Sequence, residues 1–366
     1  MRIGIILALL LGFACKMQSQ QTILKKPEVL EKVETCLYAT YSFSFSEAEK
    51  NQNDLSAILK DHPAPHFLQA LIIYWKHFPL LPEDEAVAEF EKAIENTISA
   101  ASELVEKEDG QMEGIFFDMH ARAFRSMFWA DNGKAAKVLK DLDNMYRSTM
   151  TGIELKDEFN EFYFSSGLYN YYIEAYVDEH PIYAPIAVLF RKGDRQRGLQ
   201  ELEYAIYNTV FIKYEALLFM SLIQLNYERN LNKAADYVSM LYNNFPDNIY
   251  YLGQYLIILL YSKNYALAQA LASKLKDQQD PFHILIYTMT RAFLLENSSN
   301  RLDEAKKTYL QCISFSENFG PIANLYASVS NAGLARIFEK EGDIKMARKY
   351  KRRSAALSSY EFILDF

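Results

Sequence analysis

A short pattern returns along this chain: a turn, then a helix start with a small residue about five places in. Copies beginning at Asn230, Asn264, Arg301 and Asp343 put Ala234, Ala268, Ala305 and Ala347 in the small slot, 34, 37 and 42 residues apart. Self-similarity at this period belongs to stacked helix pairs, since one pair cannot bury its apolar face alone and must stack on the next. Upstream, Ala48, Ala86, Ala135 and Gly198 take the same slot, which gives about eight units. The slots at i, i+4 and i+7 share one face of a helix, and after Ala86 and Gly198 they read small, large, small, with Phe90 and Ala93, and Leu202 and Ala205. The slot is small because the two helices of a unit cross there, and a bulkier side chain would overpack the crossing by about 1–3 kcal/mol.

Apolar stretches of helical length precede the copies, for example HFLQALIIYWKHF, YEALLFMSLIQLNY and IYYLGQYLIILLYSK. Prolines at 63, 246, 281 and 321 fall between units, where one helix must stop and the next begin. No strand-length alternation interrupts the pattern. The expected fold is all-α: a right-handed helix-pair solenoid of about eight repeats over residues 21–357. The spacing and the small–large–small slots resemble tetratricopeptide repeats, whose arrays bind proteins and peptides along a concave face.

The period breaks once. The copies at Asp131 and Asp194 are 63 residues apart, about 27 more than a repeat needs. The reading here is a long aromatic helix over about 156–177, an insert over 178–194, and Asp194 as the N-cap of the next helix. Gly167, Tyr169, Tyr171, Pro181, Pro185, Gly193, Asp194, Arg195, Gly198 and Leu199 make this segment resemble the centre of the tetratricopeptide repeat protein 39-like family. The likeness covers about 40 residues. It implies a helical-repeat fold with adaptor-like roles and no catalytic residues. A long insertion in a repeat array either caps a bend or forms a binding loop. As a binding loop it would offer His180, Tyr183, Arg191, Asp194 and Arg195.

Before the repeats, Arg2 precedes an apolar run at 3–14 that is too short to span a bilayer. It reads as a signal peptide over 1–14, with cleavage nearer 20 as the alternative. Cys15 follows small residues and is a candidate for lipidation. The expectation is an exported protein in the periplasm or outer membrane of a Gram-negative bacterium, touching membrane only through that anchor. Cys36 and Cys312 lie in the first and seventh units, too far apart along the array for a bridge.

The net charge of −8 argues against nucleic-acid binding, which needs clustered positive charge. There is no phosphate-binding glycine loop, zinc helix motif or nucleophile elbow in the sequence. His62 and His66 are four residues apart, but two prolines separate them and spoil a helical metal pair. The chain therefore reads as a non-enzyme that needs no cofactor or metal.

What remains is surface. Taking first helices to line the concave side puts Phe219, Ile223 and Tyr227 of the fifth unit, and Tyr250, Ile257, Leu260 and Tyr261 of the sixth, in an apolar groove suited to a peptide. The expected function is an adaptor for a protein or peptide; the alternative is a nutrient- or carbohydrate-binding envelope lipoprotein on the same scaffold. The tail at 358–366, with Tyr360, Phe362, Ile363, Leu364 and Phe366, is too apolar to stay free in water and is expected to pack on the solenoid.

Overall fold

The computed structural model describes residues 26–107, 110–179, 181–298, 301–358 and 360–364. The expected signal segment, Cys15 and Phe366 lie outside the described residues. Among the described residues the chain is all-α, without a strand, and its helices pack in sequence as a helical-repeat solenoid. The pairs are α1 (Pro27–Tyr41) with α2 (Phe45–Ile58), α3 (Pro63–Lys76) with α4 (Ala86–Val105), and α5 (Gln111–Asp131) with α6 (Leu142–Leu155). The fourth pair is α7 (Phe162–Glu179) with α9 (Arg195–Asn208), separated by the short α8 (Ala184–Ala187). Then come α10 (Lys213–Asn226) with α11 (Leu231–Asn244), and α12 (Ile249–Tyr261) with α13 (Tyr265–Ala272). The last are α14 (Pro281–Glu296) with α15 (Leu302–Ser316), and α16 (Asn324–Lys340) with α17 (Ile344–Leu357).

Local chemistry starts these helices where the turns fall. Asn230, Asp194 and Asp343 each accept a hydrogen bond from the backbone N–H three residues on, at 3.1, 2.9 and 3.0 Å. That satisfies one of the donors a helix start leaves open. Asp280 caps α14, with Pro281 in its first turn. The turn from α16 to α17 passes through Gly342 at φ 80°, a left-handed conformation that suits glycine.

The small slots do what the spacing implies at most units. Ala48, Ala234, Ala268 and Ala305 are fully buried in the crossings of their pairs. In the fourth pair the two backbones approach closely at glycines. A Cβ added to Gly198 would come within 2.6 Å of the Tyr171 nitrogen, and one on Gly167 within 2.9 Å of the Leu202 nitrogen.

The third unit departs from the expected register. Ala135 sits in a single 3-10 turn and is exposed, as are Leu139 and Leu142. The second helix starts only at Leu142. Asp141 fixes that start: its buried carboxylate takes Arg122 at 3.0 Å, and Arg125 at 2.8 and 3.0 Å, all from α5. The long aromatic helix is also shorter at its start than expected. α6 ends at Leu155, and a turn delivers Glu161 away from α7, onto the backbone N–H groups of Val210 and Phe211 ahead of α10.

The array does not stay open. Tyr38 and Tyr41 of α1 each meet Phe245 at 5.5 Å between ring centroids, and Tyr41 meets Tyr214 at 5.1 Å. Trp75 meets Tyr251 at 5.8 Å, and Phe78 meets Phe282 at 5.3 Å. These contacts bring the first two units against the fifth to seventh. The tail runs between α10 and α16: Phe362 packs on Tyr261 at 5.0 Å, and Ile363 is 1% exposed.

Candidate functional site: a central chamber

Closure leaves a chamber of about 570 Å³ on the concave side. Every first helix from α3 to α16 contributes to its wall, with the turn at Pro321 and Ile322 and with Leu357, Ser358 and Tyr360 completing it. Aromatic side chains dominate: Tyr74, Trp75, Phe124, Phe219, Tyr250, Tyr251 and Tyr326 are among them. A pocket of this size, apolar with a few polar groups, is the usual form of a ligand site.

The polar groups are few and specific. His120 has its Nδ1 2.9 Å from the Phe116 carbonyl, so Nδ1 carries the proton and Nε2 does not. Burial pushes this imidazole down to about 4, against the Phe116 hydrogen bond, so it is neutral at pH 7. Glu215 receives the Tyr41 hydroxyl on Oε1, while its buried Oε2 has no hydrogen-bond partner. Burial raises this carboxyl to about 7, and the Tyr41 bond offsets only part of that. Asp131 lies at the end of α5 with its side chain exposed, and the crowding of the concave wall around its carboxyl raises it to about 6. The Tyr326 hydroxyl, also without a partner, is turned away into the packing against Gly253.

Of the expected groove residues, Phe219 and Tyr250 line the chamber. Ile223, Ile257, Leu260 and Tyr261 do not: they are buried in the packing between layers. Each first helix is flanked by its own partner and by the units before and after, so only a narrow strip faces the chamber. On α10 that strip is Glu215, Leu218, Phe219 and Leu222, and the next residue, Ile223, is turned about 100° away. Tyr261 is covered by Phe362 and bonds the Ile363 carbonyl at 3.3 Å. Tyr227 packs on Tyr171 and Tyr172.

Sequence reasoning missed Asp131, Glu215 and Tyr251. A signal was present for the first two. Phe124, Met127 and Asp131 fall at i, i+3 and i+7, and Glu215, Phe219 and Leu222 at i, i+4 and i+7, each an apolar face carrying one acid.

The insert residues divide. His180 lies outside the described residues, as does the side chain of Tyr183. Asp194 is the α9 cap, and Arg195 is a clamp: its guanidinium reaches Glu228 at 2.8 Å, its backbone N–H reaches Glu174 at 3.1 Å, and Tyr171 bonds the same Glu228 at 2.7 Å. Arg191 is exposed, and its carbonyl accepts the Tyr169 hydroxyl at 2.6 Å. Ile182 and Leu189 project into solvent, 81% and 80% exposed.

No known family model matches this chain, and no curated protein does. Among the described residues, no group of three or more His, Cys, Asp or Glu could hold a metal ion, and no helix is long and apolar enough to cross a membrane.

Proposed function

We propose that this protein is a non-catalytic helical-repeat adaptor of the bacterial envelope that holds an apolar segment of a partner protein or peptide in its central chamber. The observation that carries this reading is the chamber wall, to which seven successive first helices contribute and which is largely aromatic. Aromatic faces supply large contact area at small conformational cost, and repeat arrays present such concave surfaces to ligands. The apolar run at 3–14 and Cys15 support the envelope location.

One observation favours a second reading, a small-molecule binding protein of the envelope. The chamber's volume of about 570 Å³ lies within the range of small-ligand pockets. A photo-crosslinking amino acid placed at Leu222, on the chamber wall, separates the two in envelope extract. A cross-linked polypeptide absent from the same chain labelled at the exposed Ile344 supports the adaptor. Cross-linking at neither position, with a small molecule recovered on denaturing the purified protein, supports the alternative.

A further inference from the structure

We infer that the chamber selects an apolar ligand bearing a positive charge, an organic ammonium or guanidinium, and that Asp131 and Glu215 are its counter-charges. This rests on the proposed binding function and names the chemistry of its ligand.

Charge and hydrogen bonding in the wall carry the argument. The lining residues include two carboxylates and no lysine or arginine. The Glu215 Oε2 atom is buried without a hydrogen-bond partner. A buried acceptor left unmade is costly, so a donor arriving from a ligand gains more there than at the surface. Among the described residues Asp131 forms no ion pair, and the tyrosines its charge acts on are Tyr74, Tyr250 and Tyr360, all chamber residues. A carboxylate among aromatic rings is the arrangement that holds organic cations, through ring faces and a counter-charge together.

Other ligand charges fit worse. An anion would face two carboxylates with no cation in the wall to meet it, and the His120 imidazole is neutral. A neutral hydrocarbon would strip water from both acids and return nothing for it. A cation relieves the desolvation that already raises both carboxyls. The ammonium could belong to a free amine or to a lysine side chain of a peptide.

The test is calorimetric titration at pH 8 with 2-phenylethylamine, 2-phenylethanol and phenylacetate, matched in body and differing in charge. A leucine-flanked lysine peptide and its acetyl-lysine counterpart form the second arm. The expected result is the amine binding at least about tenfold tighter than the alcohol, with phenylacetate weakest. Asp131→Asn and Glu215→Gln should each narrow the gap between amine and alcohol, and the two together should close it. Asp131→Asn keeps the test valid should Glu215→Gln disturb folding through Tyr41. Preference in the peptide arm alone assigns the charge to a lysine side chain. Equal binding of amine and alcohol overturns the charge selection and leaves the binding function standing. Absence of binding by all five probes overturns the charge selection, and cross-linking at Leu222 decides the binding function separately.

Discussion

The hydroxyl of Tyr41, on the first helix, donates to Glu215 Oε1, 174 residues further along the chain. The side-chain amide of Asn248 adds a bond to the Tyr41 carbonyl at 3.3 Å. These contacts close the solenoid on itself and hold one acid of the chamber wall in place. Tyr41→Phe should cost about 1.5–3 kcal/mol in denaturant unfolding, because it removes the side-chain hydrogen bond to a buried carboxyl.

The same acid gives the fold a pH dependence. Burial raises Glu161 to about 7, against the pull of the N–H groups of Val210, Phe211 and Ile212, and raises Glu215 to about 7 as well. Unfolded, both return to about 4.5. A carboxyl with a raised folded pKa stabilises the fold while protonated; that stability is complete below about 4.5 and is lost as pH rises through about 7. Each contributes on the order of a few kcal/mol. The thermal midpoint should therefore be higher at pH 5.5 than at pH 8, and Glu161→Gln with Glu215→Gln should flatten the difference.

Gly198 and Gly167 set how closely α7 and α9 cross. Gly198→Ala would place a methyl against the Tyr171 backbone nitrogen, which cannot move aside as a side-chain tip can. The loss should be about 3 kcal/mol or more in urea unfolding. Ala347→Gly, in the equivalent slot of the last pair, should cost only about 1 kcal/mol from helix propensity.

α14 and α16 are joined by a buried ion pair. Arg336 bonds both oxygens of Glu296 at 2.8 Å, and Tyr309 adds a third bond at 2.7 Å. Glu296→Ala strands the guanidinium and should lose about 3–5 kcal/mol. Replacing Glu296 and Arg336 together by leucine and methionine should lose less than the single change, measured as the same unfolding free energy.

The tail is part of the fold. Ile363 is buried and Phe362 packs on Tyr261, so removing 359–366 should lower the thermal midpoint and cost roughly 2–4 kcal/mol from lost apolar burial. It also takes Tyr360 out of the chamber wall, so binding of 2-phenylethylamine should weaken in the same variant.

The helices and most of their crossings were legible because they depend on neighbours in sequence. Ala234 and Ala268 mark their own crossings, and Asp194 and Asp343 mark their own helix starts. The third unit misled because DNGKAAKVLKDL carries the helical slots, while two α5 arginines hold Asp141 and start the helix ten residues later. The chamber was half legible. Which helices face it follows from the repeat; which residues do so turns on a single position, Leu222 rather than Ile223. Closure was not legible, since nothing local to Tyr41 refers to Glu215.

That closure is measured most directly as a distance between spin labels at Glu34→Cys on α1 and Asn243→Cys on α11, with Cys15→Ser. Burial raises the thiols of Cys36 and Cys312 to about 12, so these will not compete for the label. A closed array predicts one narrow distribution below about 25 Å, roughly two helix diameters. An open array stacks four units between the labels at about 10 Å each, and a distribution near 40 Å would contradict the account.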